Sequence, residues 1–370
     1  MKKILFISHY SGLLGSNLSL ESIVLYFKEK GMDVSVLLPS KGAFYSRLKG
    51  KNINVIRSNF FYYAFYIKYN IKYFSLPLLW LYNLIALPFL ILKIWNAKPD
   101  LIYVNSSVAI VCILISKILR KKCVIHVREF MDEDFGAYFI FGHRLKRNIL
   151  LLSDKIVFVS NAVAKSVVGC VPENGRVIYN GVSFPSVDRR NNNRQHIGVV
   201  GNLDISKQQH VAISFMPEIL RFFPNVKLHI IGDKKCKYKR QLKKMIHELG
   251  IENSVVFDGF ISNVEDIYSK FDILLMCSRA EAFGRVTIEA MMRHHPVIGF
   301  KGGGTPELIE DGKTGFLFDN CQDVVSALHC IVNEKTKCKH IVNTAYKYAV
   351  ENFSESIYVS KIYSFICEDR

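Results

Sequence analysis

Between residues 271 and 300 the chain reads as a strand, a short loop, a helix and a second strand, and this order constrains the fold most. The apolar runs FDILLMCS and HHPVIGF have the length and β-branched content typical of buried parallel strands. The segment between them, SRAEAFGRVTIEAM, contains two acids eight positions apart, Glu281 and Glu289. The pattern places Glu281 in the loop beyond a strand's carboxyl end, where ligands bind in open α/β sheets, and Glu289 on the helix.

This loop has the chemistry of a site for phosphate and hydroxyl groups. Phe283 and Gly284 precede a helix predicted from about Arg285, and the backbone N–H groups at a helix start attract phosphate. Gly284 lets the backbone approach a ligand closely. The two carboxylates could accept hydrogen bonds from hydroxyls on either side of a diphosphate. The alternative is that both acids are exposed at the edge of the helix and bind nothing.

SRAEAFGRVTIEAM together with PVIGFKGGGTPELIEDGKTGFLF resembles the Glu-x7-Glu region of retaining nucleotide-sugar glycosyltransferases of family four. The resemblance extends along most of the chain. It implies the GT-B fold, in which two Rossmann-like, doubly wound α/β domains face each other across a cleft. It also implies that Glu281 is catalytic and contacts donor-sugar hydroxyls, and that Glu289 contacts the nucleotide ribose.

Composition agrees with two domains and an anionic partner. The chain has 370 residues, 50% hydrophobic and 22% charged, which is enough for two substantial cores. Nine cysteines occur without a C-x-x-C pair and no signal-peptide pattern opens the sequence, so we expect free thiols in a reducing cytoplasm. The net charge of +17 suits nucleotide diphosphates, an anionic membrane surface or nucleic acid.

The first domain opens with a βαβ pattern. KKILFIS and DVSVLLP are predicted strands, and an amphipathic helix between them ends at Gly31. Gly12 and Gly15 do not form G-x-G-x-x-G, and no acid follows the second strand, so a dinucleotide dehydrogenase is disfavoured. Taken alone, the two glycines indicate only a turn. The resemblance implies that this loop faces the donor phosphates, which makes Gly15 and Ser16 candidate donor-binding residues.

Residues 59–95 are unusually apolar and aromatic, with Lys68, Lys72 and Lys93 as their only charges. The segment 74–94 approaches the length that spans a bilayer, but Asn83 and two prolines interrupt it. A spanning helix would also separate strands of one sheet. We expect helices that lie partly in the core and partly on the membrane interface. Packing entirely within the core and a true membrane span are the alternatives.

KKCVIHVREFMDEDF, residues 121–135, is predicted to be a strand and its following loop. The resemblance implies that a His or an equivalent polar residue approaches the reacting centre here, so His126 and Arg128 are both catalytic candidates, with Glu129 and Asp132 after them. The residues themselves do not decide between the two. A single His at a strand end is more often structural.

Further strands are expected at 98–107, 154–163 and 176–184, after which the composition changes. Residues 185–195, PSVDRRNNNRQ, have no apolar periodicity and are typical of a linker. The sequence therefore predicts an acceptor-binding domain over 1–184, a linker over 185–195 and a donor domain over 196–353. A terminal helix over 354–370 is expected to pack back on the first domain, as the GT-B fold implies.

The donor domain opens with HIGVVGNLDISKQQHVAI, in which a strand is predicted to end at Gly201. The resemblance implies that Lys207 contacts the donor diphosphate; a plain surface charge is the alternative. Family members often have an Arg directly after this glycine, whereas this chain has Asn202. Diphosphate binding is then expected to depend on Lys207, with Asn202 beside it or with Arg285 in compensation.

A second helix start is predicted after GGG at residues 302–304, with Thr305 as N-cap and Pro306 as the first helical residue. The candidate acids have no neighbouring acid or His in D-x-D or similar spacing. We therefore expect neither a metal nor another cofactor, and expect Lys207 and helix ends to neutralise the leaving diphosphate.

The resemblance, together with these patterns, predicts a retaining, metal-independent glycosyltransferase that moves a sugar from a nucleotide diphosphate to a hydroxyl of a lipid-linked or glycan acceptor. We expect it in bacterial surface polysaccharide biosynthesis, such as that of capsule or lipopolysaccharide. Its expected location is the cytoplasm, peripheral on the inner face of the plasma membrane and in contact with anionic lipid. One alternative is a GT-B nucleotide-sugar epimerase. A basic nucleic-acid-binding protein is disfavoured, because no RRM-like motif or basic recognition helix occurs.

Overall fold

The computed structural model describes residues 2–13, 15–60, 62–68, 76–184, 196–234 and 237–367. The predicted linker 185–195, residues 61 and 69–75 of the apolar stretch and the last three residues of the predicted terminal helix lie outside them. The chain forms two compact units. Unit 1 comprises Met1–Gly181 and Glu355–Arg370, and unit 2 comprises Val182–Ser354.

Unit 1 contains a seven-stranded parallel sheet in the order β3-β2-β1-β5-β6-β8-β9 and a separate antiparallel pair, β4 and β7. Its strands are β1 Lys3–Ile7, β2 Asp33–Leu38, β3 Asn54–Arg57, β4 Tyr66–Lys68, β5 Leu101–Val104, β6 Lys122–Val127, β7 Ala137–Phe139, β8 Lys155–Phe158 and β9 Gly175–Val177. Its helices are α1 Gly15–Glu29, α2 Ala43–Gly50, α3 Leu76–Asn96, α4 Val111–Ile118, α5 Asp132–Phe135, α6 Gly142–Leu151, α7 Asn161–Val168 and, at the end of the chain, α15 Glu355–Cys367.

Unit 2 contains a six-stranded parallel sheet in the order β12-β11-β10-β13-β14-β15. Its strands are β10 His196–Val200, β11 Lys227–Ile231, β12 Val255–Gly259, β13 Ile273–Met276, β14 Val297–Phe300 and β15 Phe316–Phe318. Its helices are α8 Gln209–Phe222, α9 Lys237–Glu248, α10 Val264–Tyr268, α11 Arg285–Met291, α12 Thr305–Leu308, α13 Cys321–Asn333 and α14 Lys335–Phe353.

Both sheets reverse their strand order beside their first strand. In unit 1 the chain builds outward from β1 in one direction and resumes on its other side with β5; in unit 2 it does the same with β10 and β13. Ligands of open α/β sheets bind outside the carboxyl ends of the strands at such a reversal. A ligand site is therefore expected at the loops after β1 and β5 and at those after β10 and β13.

Alternating side chains explain how β2 contributes to the core of unit 1. Val34, Val36 and Leu38 are buried in one apolar cluster with α1, α2 and α15, because every second side chain of a strand points to the same face. After α1, Gly31 has a left-handed φ of +78°, a conformation that glycine adopts without strain. The amphipathic helix and its predicted glycine stop are thus confirmed.

The terminal helix α15 belongs to the core of unit 1. Its buried side chains join the same apolar cluster as β1, β2 and α1: Tyr358, Val359, Ile362 and Phe365. At its first turn, Glu355 accepts a hydrogen bond from Ser22 on α1. The end of the chain therefore completes the sheet packing of its beginning.

Within the apolar stretch 59–95, α3 is the long helix, and its packing is one-sided. Asn83, Leu90 and Ile94 are buried, while Leu78, Leu84, Ile85 and Phe89 are each more than 60% exposed. By length and composition, Pro77–Asn96 could cross a membrane, and only 17% of its apolar segment is buried within the protein. Packing entirely within the core is therefore wrong as a description of this helix. Residues 66–68 form strand β4, where the sequence indicated helix.

The hydroxyl of Tyr358 offers a test of how α15 is held, because Arg128 donates to it from Nη2 over 2.9 Å. Tyr358→Phe should lower the free energy of unfolding by about 1.5–3 kcal/mol, the typical contribution of a buried hydrogen bond to a charged group. Urea unfolding followed by circular dichroism measures this. Tyr363→Phe on the same helix is the control. An equal loss of unfolding free energy in both variants would show that the hydrogen bond from Arg128 does not stabilise α15.

Candidate functional site

Lys207 and Glu281 meet at the strand-order reversal of unit 2. Lys207 ends a single 3-10 turn, Ile205–Lys207, after β10, and Glu281 lies in the loop after β13. The Lys207 Nζ donates to Glu281 Oε2 over 2.7 Å. The side chains retain 33% and 15% of their exposure, so a ligand can reach both. Two residues 74 positions apart in sequence thus form one ion pair where a ligand is expected.

The glycines at 302–304 hold the Glu281 loop in place. Gly304 donates its N–H to the Glu281 carbonyl over 2.7 Å. Gly303 has a φ of +57°, and a Cβ there would lie 2.7 Å from both the backbone N and O of Glu281. These residues are therefore a close-packed support for the Glu281 loop. The helix after them has Gly304 as its N-cap, so the prediction of Thr305 at that position is wrong by one residue.

Glu289 lies on α11 and is held by two side chains. Tyr268 donates its hydroxyl to Glu289 Oε2 over 3.0 Å, and Arg285 Nη2 lies 3.4 Å from Oε1. Arg293, one turn further along, donates to the Glu289 carbonyl over 3.0 Å and forms an ion pair with Glu265. Tyr268 is buried beside the Glu289 carboxylate, and both its burial and that charge raise the pKa of its phenol well above the ordinary value.

Three other predicted donor-binding residues of unit 2 lie in the loops that carry Lys207 and Glu281: Asn202, Phe283 and Gly284. Gly284 is the N-cap of α11 with a φ of +91°, which allows the turn into the helix at Arg285 as the sequence predicted. The Phe283 side chain is 4% exposed and packs 6.0 Å from the Phe353 ring, so only its backbone is offered to a ligand. The Asn202 carbonyl accepts a bond from Gln209 over 2.9 Å.

In unit 1, the predicted residues Ser16 and Arg128 are connected through Asn105. The Asn105 side chain donates to the Ser16 carbonyl over 3.2 Å and accepts from Arg128 Nε over 2.8 Å. Arg128 also donates to Asn180 over 2.6 Å, and it is only 8% exposed. Gly15 is the first residue of α1, next to Ser16. Arg128 therefore ties together the loops after β5 and β6, and a catalytic role for it stays a prediction.

His126 lies in β6 and has no exposed surface. Its Nδ1 shares a 2.6 Å hydrogen bond with the Tyr103 hydroxyl. Burial, with the Arg128 charge, lowers the pKa of His126 well below its usual value, so the ring is neutral. These contacts are those of a core histidine. Its predicted role at the reacting centre stays a prediction, and this geometry gives it no support.

A buried acidic group follows β6 at the same edge of the sheet. Glu129 Oε1 accepts from the Ser106 hydroxyl, the Ser107 hydroxyl and the Ser107 N–H, at 2.8, 2.7 and 2.7 Å. Burial and the Glu129 charge raise the pKa of Asp134 to about 7, and burial lowers the pKa of the nearby Lys146. The sequence showed Glu129 and Asp134 close together, but it could not show that Lys146, on α6, is desolvated beside them.

Two contacts of the site were missed from the sequence: Tyr268 on Glu289, and the glycine support beneath Glu281. Tyr268 precedes β13 by five positions, and nothing in VEDIYSKF distinguishes it from a core aromatic. The glycines were noticed, but their φ angles and close packing are properties of the folded chain. Within the described ranges, no three His, Cys, Asp or Glu side chains are grouped so that they could hold a metal ion.

Replacing Gly303 tests the support beneath Glu281. Gly303→Ala should lower the free energy of unfolding by about 1–2 kcal/mol for the left-handed φ and by about 1–3 kcal/mol more for the clash with the Glu281 backbone. Gly312→Ala is the matched control, because Gly312 has a φ of +72° but no atom within 4 Å of the added Cβ. Chemical denaturation of both variants measures the difference, and equal losses would show that the clash is relieved freely.

Each half of the chain matches a glycosyltransferase family. Residues 15–184 match Glycosyltransferase Family 4, and residues 184–348 match Glycosyl transferases group 1. Among curated proteins, the sulfoquinovosyl transferase of Arabidopsis thaliana is 25% identical over 92% of this chain and 68% of its own length. The poly(ribitol-phosphate) alpha-N-acetylglucosaminyltransferase of Staphylococcus aureus is 26% identical over 50% of this chain and 38% of its own.

The fold is shared with solved glycosyltransferase structures. The Anabaena protein HepE in complex with UDP-glucose superimposes with a TM-score of 0.81 at 24% identity, over 100% of both chains. The expectation of two Rossmann-like parallel sheets is thereby confirmed. Because the two family matches together run from residue 15 to residue 348, this chain is a GT-B glycosyltransferase of family four.

Proposed function

We propose that this protein is a retaining glycosyltransferase that transfers a sugar from a nucleotide diphosphate donor to a hydroxyl of a membrane-associated acceptor. The observation that carries the proposal is the Lys207–Glu281 ion pair, 2.7 Å long, at the strand-order reversal of unit 2. It sets a cation and a carboxylate side by side in an accessible place. A sugar diphosphate needs the same two groups, one for its phosphates and one for its hydroxyls.

Donor binding would exchange the partners within this pair. The Lys207 ammonium would turn to the diphosphate oxygens, which leaves Glu281 Oε2 able to accept hydrogen bonds from sugar hydroxyls. The exchange leaves neither group unpaired, because the diphosphate replaces Glu281 as the partner of Lys207 and the sugar hydroxyls replace Lys207 as the partner of Glu281. Glu289, held by Tyr268 and Arg285, would accept from the ribose.

The reaction follows from the leaving group. The bond between the anomeric carbon and the diphosphate oxygen breaks as the acceptor oxygen bonds to the same carbon from the same face, and the acceptor proton passes to the leaving diphosphate. Lys207 would stabilise the charge that develops on that diphosphate, and this is the type of electrostatic effect that dominates many active sites. No carboxylate nucleophile and no metal is invoked.

The relatives support the substrate class. One curated relative is named a sulfoquinovosyl transferase, another an N-acetylglucosaminyltransferase acting on poly(ribitol-phosphate), and a third a Vi polysaccharide biosynthesis protein of Salmonella typhi. HepE is described in complex with UDP and with UDP-glucose. We therefore propose UDP-sugars as the first donors to test, and a lipid-linked or glycan acceptor of surface polysaccharide assembly.

Helix α3 supports a membrane-associated acceptor. Its outward face exposes Trp80, Phe89 and Trp95 among other apolar side chains, and Trp80 stacks on Phe141 with ring centroids 6.3 Å apart. Phe141 leads into α6, whose exposed Arg144 and Arg147 add positive charge beside the apolar face. Apolar and aromatic side chains next to basic ones are typical of interfacial helices. The proposed location is the cytoplasmic face of the plasma membrane.

The site residues predict separable effects. Glu281→Ala and Glu289→Ala should each lose about 2–4 kcal/mol of transition-state stabilisation in kcat/KM, because each removes a placed carboxylate acceptor for a hydroxyl. Lys207→Ala should chiefly weaken binding of the free nucleoside diphosphate. Glu248→Ala, at an exposed acid of α9, is the matched control. Wild-type turnover in either site variant would overturn its assignment.

The donor is identified by thermal stabilisation. A bound nucleotide sugar should raise the Tm of the protein by mass action, so a panel of nucleotide sugars finds the base and sugar. The transfer product should then keep the anomeric configuration of the donor, as measured by NMR. An inverted product would refute the retaining mechanism, and release of a 2-epimer without acceptor would identify an epimerase.

Vesicle binding tests the membrane contact. The protein should bind phosphatidylglycerol vesicles, bind phosphatidylcholine vesicles far more weakly, and dissociate as salt is added, because basic residues near the surface contribute about 1 kcal/mol each. Trp80→Ser with Phe89→Ser should reduce binding further and leave nucleotide stabilisation unchanged. Phe222→Ser in unit 2, also exposed, is the control. A protein that ignores both kinds of vesicle would contradict the contact.

A further inference from the structure

A cavity lies where the last turn of α3 meets the sheet of unit 1. Its volume is about 280 Å³. The residues that line it come from β1, β2, β3 and the end of α3: Lys3, Ser35, Asn54, Ile56, Lys93, Asn96 and Ala97. It lies toward the amino ends of the strands, because Lys3 and Asn54 each begin one. The glycosyltransferase site expected at the carboxyl ends does not include it.

The polar groups around this cavity are mostly donors. Lys3 and Lys93 bring two ammonium groups, Asn54 and Asn96 bring two amides, and no carboxylate is among its lining residues. Lys93 donates to the Arg57 carbonyl, which leaves its other N–H groups to point elsewhere. Lys3 forms a 3.3 Å ion pair with Asp33, but the two side chains are 38% and 61% exposed, so solvent weakens this pair.

The buried hydroxyl of Ser35 is a second and independent indication that this cavity binds a group that accepts hydrogen bonds. Ser35 is 1% exposed, in the middle of β2 between Leu5 of β1 and Asn54 of β3. Within the described part of the chain, its buried hydroxyl has no hydrogen-bond partner. A buried unpaired hydroxyl is destabilising, so its presence on the wall of a polar cavity points to an acceptor group that is supplied from outside.

The cavity is next to the exposed apolar face of α3. Phe89, Lys93 and Asn96 are spaced by four and three residues and so lie along one side of the helix. On this side, Phe89 is 61% exposed. If the apolar face lies at the boundary of headgroups and acyl chains, the cavity at its end lies at the level of the headgroups.

We propose that this cavity binds the phosphate group of an anionic membrane lipid. Two ammonium groups, two amides and a hydroxyl without a partner match the several acceptor oxygens of a phosphate. The inference rests on the proposed membrane contact of α3 and adds to it a specific site, so that the protein recognises a headgroup as well as a charged surface.

Ser35→Ala is the sharpest test, because it removes a hydroxyl without changing the net charge. The measurement is binding to phosphatidylcholine vesicles that contain phosphatidic acid, compared with vesicles that contain oleate at the same surface charge. The wild type should prefer phosphatidic acid. Ser35→Ala should lose about twofold to fivefold of the affinity for phosphatidic acid and none of that for oleate.

A charge-matched pair of variants completes the test. The double variant with Lys3→Gln and Lys93→Gln should weaken binding to phosphatidic acid vesicles by more than about fivefold. Lys41→Gln with Lys49→Gln, two exposed lysines of unit 1 outside the cavity, changes the net charge equally and should weaken binding to both kinds of vesicle alike. Equal behaviour of the two double variants, or no preference for phosphatidic acid in the wild type, would overturn the site.

Soluble glycerol 3-phosphate distinguishes the source of the phosphate. At constant ionic strength it should compete only weakly with vesicles; if it binds the free protein as tightly as the vesicles do, the ligand is a soluble phosphate and the lipid assignment is wrong. Nucleotide-sugar stabilisation of the same variants reports on unit 2. If no nucleotide sugar stabilised the wild type or any of these variants, the proposed function would be contradicted, and the vesicle results on the cavity would be unaffected.

Discussion

The reversal of strand order beside β10 is the constraint on which the candidate site depends. Because β10 and β13 are neighbours in the sheet, the loops that follow them leave its carboxyl edge side by side. Lys207 ends the 3-10 turn in the loop after β10, and Glu281 lies in the loop after β13. Topology therefore brings together a cation and a carboxylate that the sequence separates widely. Any chain with this strand order has such an edge, and the residues placed there decide what it binds.

The backbone, rather than the ion pair, fixes the geometry at this edge. The Lys207 and Glu281 side chains keep 33% and 15% of their exposure, so a ligand can reach both. The Glu281 loop is held instead by the hydrogen bond from Gly304 and by the close approach of Gly303. This division suits a binding site, because the support stays rigid while the side chains are able to exchange one partner for another.

Much of the fold was predictable from the sequence, because strongly periodic segments report their own structure. The apolar runs at β13 and β14, the start of α11 at Arg285 and the glycine stop of α1 are all local signals. Strand β4 was not predictable, since its three residues gain their conformation by pairing with β7, some seventy residues away. Helix α12 was misplaced by one residue because its predicted capping threonine is buried one position inside the helix.

The candidate site was predictable in part, and for a different reason. Glu281, Glu289 and Lys207 were found through a family pattern. Their contacts were not visible, since the Tyr268 hydroxyl reaches Glu289 only in the folded chain. His126 shows the limit most clearly. A histidine at a strand end is compatible with catalysis or with the core, and the difference is burial, which depends on every element packed around β6.

The position of α3 reconciles an apolar helix with an intact sheet. Its inner side, with Leu90 and Ile94, is part of the packing of unit 1, and β5 follows only a few residues after its end. If the helix crossed a bilayer, those side chains would leave the core and β5 would be pulled from its place beside β1. The proposed position on the interface would keep both contacts, since the inner side would face protein and the outer side lipid. Burial of one large apolar side chain contributes about 1.5–3 kcal/mol when it is complete. In the proposed position, even shallow immersion of the outer side would therefore be enough for a reversible attachment, and the neighbouring arginines of α6 would favour anionic lipid.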